Sequence, residues 1–272
     1  MSKKVSVIIP TLNEEKHLPK LLKDLQKQKN KDFEVVIVDA YSDDKTCDKA
    51  HEFDDGMDIR VIESDKRHLA YQRNLGARHA KGEFLLFLDA DMHIESAFIE
   101  SLLHYIHKHR FILYLPIHIP HDAEYIDELL YKVMAVFTDA SHMTAKPFAY
   151  GPGAVFQRYY FYHLGGYDED VFVYEDHEII QRARKQGVKA KLMPDNPVFF
   201  SFRRFQSEGR FRVLSKYTLA TLHLLVHGKV DKEIFSYEMG GTAKYLLKHP
   251  QYFDIKKNAV KYFDKLLKML EE

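Results

Sequence analysis

Several features that would assign this sequence of 272 residues to other protein classes are absent. Cys47 is the one cysteine, which excludes a disulfide framework and a zinc site made of cysteines. The 40 lysines and arginines are balanced by 40 aspartates and glutamates, so no charge excess points to nucleic acid. The 16 histidines are scattered and form no HExxH motif. With 46% hydrophobic residues, the chain can still form a sizeable core.

Long apolar segments are also missing. No apolar run approaches the ~20 residues that a membrane-spanning helix needs. The N-terminal MSKKVSVIIP leads directly into a strand pattern, so we expect no signal peptide. The single cysteine fits a reducing compartment, and these features together predict a cytoplasmic protein.

Glycine is absent from the loop that follows the first apolar run, between residues 9 and 18. No GxGxxG turn can therefore bring the backbone up to a pyrophosphate, and no GxxxxGK[ST] loop occurs elsewhere. If this part of the chain binds a nucleotide, side chains and a metal ion must hold it. The candidate side chains are Thr11, Asn13, Glu14 and Asp39.

The first half of the chain alternates between strand and helix patterns. Apolar runs predict strands over 5–9, 33–38, 60–63 and 84–88, and helical spacing predicts helices over 14–28, 43–53, 67–80 and 96–109. Asn13 is expected to cap the first helix, because Glu14 and Glu15 follow it. This alternation predicts an α/β fold with a mainly parallel sheet and right-handed crossovers.

The segment FLLFLDAD, residues 84–91, ends a buried strand with two aspartates. Open α/β sheets bind their ligands at the carboxyl ends of the strands, where Asp89 and Asp91 are expected to lie. Two carboxylates there suit Mg²⁺ or Mn²⁺, which usually completes its shell with phosphate oxygens. The alternative is that these aspartates only end the strand and cap the next helix.

The second half contains glycine turns and an acidic helix start. Residues 150–154, YGPGA, predict a turn into a strand, and a helix is expected over 175–186. Glu175 and Asp176 lie in the first turn of that helix. Acidic residues stabilise such a turn by ~0.3–1 kcal/mol, so a purely structural role is the alternative.

The C-terminal part is predicted to be helical after an apolar strand over 198–202. Helices are expected over 211–227 and 255–270, and the second places lysines beside an apolar face. Such a helix either lies on an acidic membrane surface, at the inner face of the membrane for a cytoplasmic protein, or packs on its own domain. The basic-aromatic SFRRFQSEGRF segment before them is explained on its residues alone as a solvated turn.

Four motifs occur in the order found in family 2 glycosyltransferases, over roughly residues 4–190. They are VSVIIPTLNEE, VVIVDAYSDDKT, AYQRNLGARHAKGEFLLFLDAD and GGYDEDVFVYEDHEIIQRARKQG. The resemblance implies a GT-A fold, an α/β mixed, mainly parallel sheet flanked by helices. It also implies a nucleoside-diphosphate sugar donor, Mg²⁺ or Mn²⁺, and transfer with inversion at the anomeric carbon. We expect a transferase domain over 1–205, with a nucleotide-sugar half over 1–110 and an acceptor half over 111–205, and a helical extension over 206–272.

The resemblance also implies roles for individual residues. Asp176 matches the catalytic base, and Asp89 and Asp91 match the metal-binding DXD motif. Residues that match donor-binding positions, with uracil or guanine favoured as the base, are Pro10, Thr11, Asn13, Glu14, Asp39, Arg73 and Ala90. Residues expected near the acceptor or in a closing loop are Gly151, Gly153, Glu175 and Arg203. Tyr41 departs from the family pattern, because a small residue is usual there.

Other interpretations remain open on the residues alone. Asn13 and Glu14 are also explained as a helix cap, Asp39 as a strand end, and Arg73 as a solvated charge on a basic helix. A sugar nucleotidyltransferase would usually carry a glycine-rich GxGxR-type loop where this chain has PTLNEE. A non-catalytic nucleotide-sugar-binding module is the alternative from another class. The acceptor is expected to be a glycan, a lipid-linked or a small molecule, and not a nucleic acid.

Overall fold

The computed structural model describes residues 4–121, 123–144, 146–149, 151–201, 209–227 and 229–231. The strands are β1 Val5–Thr11, β2 Phe33–Asp39, β3 Ile59–Glu63, β4 Phe84–Phe87, β5 Leu113–Pro120, β6 Val155–Gln157 and β7 Lys191–Phe200. The helices are α1 Leu18–Gln26, α2 Thr46–His51, α3 Leu69–His79, α4 Phe98–His109, α5 Tyr125–Ser141, α6 Arg158–His163, α7 Glu175–Lys185 and α8 Arg210–His227.

The strands of the described residues form one sheet in the order β3-β2-β1-β4-β6-β5-β7. Strands β1 to β4 are parallel, and β6 runs antiparallel to both of its neighbours, β4 and β5. This confirms the predicted mixed, mainly parallel α/β sheet. In the register of β1 and β2, Thr11 is opposite Asp39, so the last residues of both strands meet at the same sheet edge.

Helices cover both faces of the sheet, as the apolar runs of the central strands require. One core layer packs α1 and α4 against β1, β2 and β4, and the other packs α3, α6 and α7 against the opposite face. Helix α3 lies close to β1, because a Cβ added to Gly76 would be 2.5 Å from Ile8 Cγ2. Helices α3 and α7 therefore pack on the same face of the sheet.

The expected cap at Asn13 is wrong. Helix α1 begins at Leu18, and Asn13 has a left-handed backbone with φ of 56°. Its side-chain oxygen accepts the backbone N–H of Asp43, and its own N–H donates to the Ser42 hydroxyl. Asn13 thus joins the β1 loop to the β2 loop, and Pro19 in the first turn favours the later helix start.

Elements between residues 111 and 163 did not follow from the sequence pattern. Strand β5 and helices α5 and α6 were not predicted, and β7 begins at Lys191 instead of 198. Pro194 and Pro197 interrupt the strand pattern of β7, and its pairing with β5 is irregular in that stretch. Helix α5 carries apolar residues on more than one side, which obscures the one-sided helical pattern.

The predicted helix over 211–227 is confirmed as α8, whose Leu219, Ala220 and Leu224 pack with Val173. The predicted C-terminal helix over 255–270 lies outside the described residues. Within the ranges given above, no helix is both long and apolar enough to cross a membrane.

Candidate active site

A cavity of about 690 Å³ opens at the carboxyl ends of β1 and β4. Its walls come from the β1 loop, the DXD turn, the turn at Gly151, helix α5, the start of α7 and helix α8. This is the position at which open α/β sheets bind ligands. The sequence-derived candidates that line it are Pro10, Thr11, Glu14, Arg73, Asp89, Ala90, Asp91, Gly151, Glu175 and Asp176.

Three other candidates do not line this cavity, and a fourth, Arg203, lies outside the described residues. Asn13 and Asp39 are buried beside lining residues of the β1 loop, and Asp39 accepts a hydrogen bond from Thr11. Gly153 supports the wall from behind, because a Cβ there would be 3.2 Å from His118 Nε2 and 3.3 Å from Pro116. Gly151 and Gly153 both have positive φ, at 116° and 110°, which explains glycine at each position.

Asp39 is buried beneath the β1 loop and accepts hydrogen bonds from both neighbouring loops. Thr11 Oγ1 donates to Asp39 Oδ1 over 2.8 Å, and Ser42 donates through Oγ over 2.6 Å and through its backbone N–H over 2.8 Å. Asp39 therefore does more than end its strand. Burial, together with the negative charge of Asp39, raises the pKa of the neighbouring Cys47 thiol to about 12.

The loop after β2 is bonded to the β1 loop and to the segment that precedes α3. The backbone N–H of Glu14 donates to Thr46 Oγ1, and Arg67 donates to the carbonyl of Tyr41. Tyr41, the departure from the family pattern, takes a left-handed φ of 52° and leaves 55% of its surface exposed. A bulky ring therefore stands at the rim of this pair of loops.

Arg73 is the central charged residue of the site. Its side chain is 1% exposed, so the alternative interpretation of Arg73 as a solvated charge is wrong. One terminal nitrogen donates to Asp89 Oδ1 over 2.9 Å, and the other donates to Glu175 Oε1 over 2.5 Å. Burial opposes the charge, but the two carboxylates outweigh burial and raise the pKa of Arg73. Its buried Nε has no hydrogen-bond partner among the described residues.

Glu175 and Asp176 are adjacent at the start of α7 but have different surroundings. Burial raises the pKa of Glu175, and the bond to Arg73 opposes that rise. Asp176 accepts the backbone N–H of His177 through Oδ1. Its Oδ2 receives no hydrogen bond from any described residue and lies 3.8 Å from where a Gly151 Cβ would be. This oxygen is therefore placed to accept a proton from a molecule in the cavity.

The DXD turn offers oxygen ligands of the type that Mg²⁺ and Mn²⁺ prefer. Asp89 and Asp91 both line the cavity, and Asp89 shares one oxygen with Arg73. Across the described residues, no group of three His, Cys, Asp or Glu side chains could hold a metal ion. The donor set thus fits a cation that takes one or two carboxylates and completes its shell with phosphate oxygens.

The structure adds site residues that the sequence did not indicate. His118, Tyr131, Tyr174 and His177 line the cavity. His177 is buried, which lowers the pKa of its imidazole, and its Nδ1 accepts the backbone N–H of Ala149 over 3.3 Å. Only their positions beside Glu175 and Asp176 could have indicated Tyr174 and His177. His118 and Tyr131 lie on β5 and α5, which the pattern did not predict.

Comparisons with known proteins agree with this geometry. Residues 6–165 match the profile of Glycosyl transferase family 2. A Staphylococcus aureus poly(ribitol-phosphate) beta-N-acetylglucosaminyltransferase, TarS, is 34% identical over 110 residues, or 39% of this chain and 19% of TarS. A Methanococcus voltae dolichyl N-acetyl-alpha-D-glucosaminyl phosphate 3-beta-D-2,3-diacetamido-2,3-dideoxy-beta-D-glucuronosyltransferase is 33% identical over 105 residues, 36% of this chain and 32% of that protein. The matches therefore span a third or less of these relatives.

Solved structures share the fold at low sequence identity. A mannosyltransferase from Pyrobaculum calidifontis, in complex with GDP-Man and Mn²⁺, superposes with a TM-score of 0.67 and 18% identity. That alignment covers 100% of this chain and 76% of the other. TarS 1–349 in complex with UDP gives a TM-score of 0.60 at 20% identity, with 79% and 65% coverage. These likenesses confirm the expected GT-A architecture.

Proposed function

The chain belongs to glycosyl transferase family 2, and we propose that it moves a sugar from a nucleoside-diphosphate sugar to an acceptor hydroxyl with inversion. The observation that carries this proposal is the bridge made by Arg73. It joins the DXD turn, where a donor diphosphate would lie, to the helix that bears Asp176. A donor and an acceptor can therefore meet in one cavity.

Asp176 is the proposed general base. As the acceptor oxygen attacks the anomeric carbon, the carboxylate takes its proton, and the bond from that carbon to the donor phosphate oxygen breaks. The electron pair of that bond leaves with the nucleoside diphosphate. Glu175 is a poorer candidate, because Arg73 already holds its carboxylate. A single displacement of this kind inverts the anomeric centre and needs no enzyme nucleophile.

The donor would be held at the other wall of the cavity. The N–H groups and side chains of the β1 loop are proposed to contact the nucleoside. Asp39 does not line the cavity, so the base would extend from it to the junction of the β1 and β2 loops, where Asp39 would accept from a ring N–H. Asp89 and Asp91 would hold Mg²⁺ or Mn²⁺, which supplies neutralisation of the diphosphate charge when bound. Arg73 keeps Asp89 oriented and adds a buried positive charge beside the DXD turn.

The structural neighbours support a uridine or guanosine diphosphate sugar as the donor. TarS 1–349 was solved in complex with UDP and with UDP-GlcNAc, and the mannosyltransferase was solved in complex with GDP-Man. The names of the relatives point to a glycan or lipid-linked acceptor, such as poly(ribitol phosphate) or a dolichyl phosphate sugar. A small-molecule acceptor is compatible with the same base geometry.

The proposal is tested by screening nucleoside diphosphates and their sugars for thermal stabilisation, with Mn²⁺, Mg²⁺ or EDTA. A ligand at a hundredfold excess over its Kd should add about 2.7 kcal/mol to the free energy of unfolding. The stabilising donor is then incubated with acceptors, and the anomeric configuration of the product is read by NMR. Metal-dependent binding followed by an inverted product is the expected result. Nucleotide binding without turnover on any acceptor would instead favour a non-catalytic binding module.

A further inference from the structure

Helix α5 has an inner side that faces the protein and an outer side that is apolar and exposed. Asp127, Tyr131 and Thr138 follow helical spacing toward the protein, where Asp127 is 1% exposed and the other two line the cavity. The opposite side of the helix carries Leu129 and Val133, which are 54% and 50% exposed. An amphipathic surface helix would be polar on that outer side. The exposed apolar residues of α5 therefore indicate a surface that another molecule covers.

The outer apolar residues follow a heptad pattern. Leu129, Val133, Val136 and Ala140 are separated by four, three and four residues, which is the a/d spacing of helices that pair. All four are exposed, and Val136 is 68% exposed, so this outer seam lies at the surface. A seam of this spacing fits another helix laid along it.

We propose that the outer seam of α5 packs antiparallel against the same seam of a second copy of this chain. A two-fold axis near the middle of the helix would place Val133 of each copy against Val136 of the other, and Leu129 against Ala140. The contact is isologous, as in most dimers, because one surface is used twice. Two heptads give a short contact, so we expect a concentration-dependent dimer.

The charges that flank the seam favour a second copy over other occupants. Lys132 and Asp139 lie on the same side of the seam, seven residues apart. In the antiparallel arrangement, Lys132 of each copy faces Asp139 of the other, so two ion pairs form together. Glu128, which binds Lys132 over 2.7 Å within its own helix, stays on the same flank.

A lipid surface fits this helix less well. Between Tyr125 and Ser141 it carries three acidic residues, Asp127, Glu128 and Asp139, and one lysine, Lys132. Acidic bilayers attract segments of the opposite sign. Self-pairing uses the apolar seam and both signs of charge.

Pairing of two copies through this seam would also affect the opening of the cavity. Phe137 lies beside the seam, is 71% exposed and lines the cavity margin. A second copy would cover this ring and narrow the opening on the α5 side. The dimer would thereby shape the acceptor side of the cavity without adding a catalytic group.

The first test measures the mass of the full chain by sedimentation velocity across a concentration series. Val133→Asp should shift the population to monomer while its melting temperature stays within a degree or two of the wild type. Tyr159→Asp, on α6 at 82% exposure, is the matched control and should leave the mass unchanged. A chain that is monomeric at every concentration overturns the proposal.

The second test reverses the flanking charges. Lys132→Asp or Asp139→Lys alone should raise the dimer Kd roughly tenfold, because two pairs become repulsive in each case. The double variant Lys132→Asp/Asp139→Lys restores opposite charges across the axis and should recover the wild-type Kd. A double variant that is no better than the singles refutes the antiparallel register.

Two further outcomes would also refute it. A large drop in the melting temperature of Val133→Asp without a change in mass would mean that the chain itself covers the seam. The seam would be assigned to a lipid surface if the wild-type chain never dimerises but binds vesicles of anionic phospholipid, and if Val133→Asp loses that binding.

Discussion

The guanidinium of Arg73 on α3 donates a 2.5 Å hydrogen bond to Glu175 on α7, although 102 positions separate the two residues. The same guanidinium binds Asp89 after β4. One buried cation therefore sets the distance between the proposed donor and acceptor sides of the cavity. Its removal would leave two carboxylates facing each other with no positive charge between them.

We expect Arg73→Met to lower the free energy of unfolding by about 3–5 kcal/mol, the usual cost of breaking a buried ion pair from one side. Arg67→Met is the control, because the Arg67 and Asp43 side chains are 48% and 76% exposed and such pairs contribute about 0–1 kcal/mol. Urea unfolding of both variants measures the difference. Equal losses in the two variants would show that the bridge is not important for stability.

We expect Asp176→Asn to reduce transfer by ~10²–10⁴-fold, the usual contribution of a positioned base. Nucleotide affinity should stay near the wild-type value, because Asp176 is not among the residues proposed to hold the nucleotide. Single-turnover transfer and calorimetric binding on the same preparation separate the two effects. Asp170→Asn, an exposed acid in the preceding loop, should leave both unchanged. A kcat close to wild type in Asp176→Asn would eliminate it as the base.

We expect Asp39→Asn to weaken nucleoside-diphosphate binding by roughly 10- to 100-fold, the range for one hydrogen bond to a charged group. The amide keeps one oxygen for the hydroxyls of Thr11 and Ser42 but loses the oxygen that accepts the Ser42 N–H and the charge that accepts from a base N–H. The KM for the donor should rise more than kcat falls, since this contact is similar in ground and transition states. Asp55→Asn is an exposed control. A fall in kcat with an unchanged KM would contradict the assignment.

We expect stability to fall as the pH drops below about 6.5, the ordinary pKa of histidine, because the folded state keeps His177 neutral. Burial lowers the pKa of His177, so the unfolded chain binds a proton first and acid favours unfolding. The contribution is fully present above the unfolded pKa and is lost as the pH falls through the folded pKa. It amounts to at most ~1.4 kcal/mol per pH unit for one proton.

Melting temperatures between pH 8 and pH 5 test this expectation. His177→Gln should flatten the profile, whereas His107→Gln, on the exposed side of α4, should not. His142, whose pKa burial also lowers, should leave some pH dependence in His177→Gln. Identical profiles for the wild type and His177→Gln would contradict the prediction.

The apolar pattern alone predicted the first four strands and the helices between them. Buried parallel strands read as unbroken apolar runs, as in FLLFLDAD, and the aspartates that end those runs mark the ligand edge. The order of four short motifs along the chain was enough to indicate the family. These features are local in sequence, so no knowledge of distant contacts is needed to find them.

Tertiary structure alone decided how the site is assembled. The hydrogen bond between Arg73 and Glu175 joins segments that are remote in sequence. The sequence around Arg73 fits a solvated basic helix equally well, so the pattern alone could not predict this bond. Asn13 has the sequence context of a helix cap, but contacts with Ser42 and Asp43 on another loop hold it in a left-handed turn. Local propensity is a weak preference beside such contacts, so the three-dimensional packing sets the outcome.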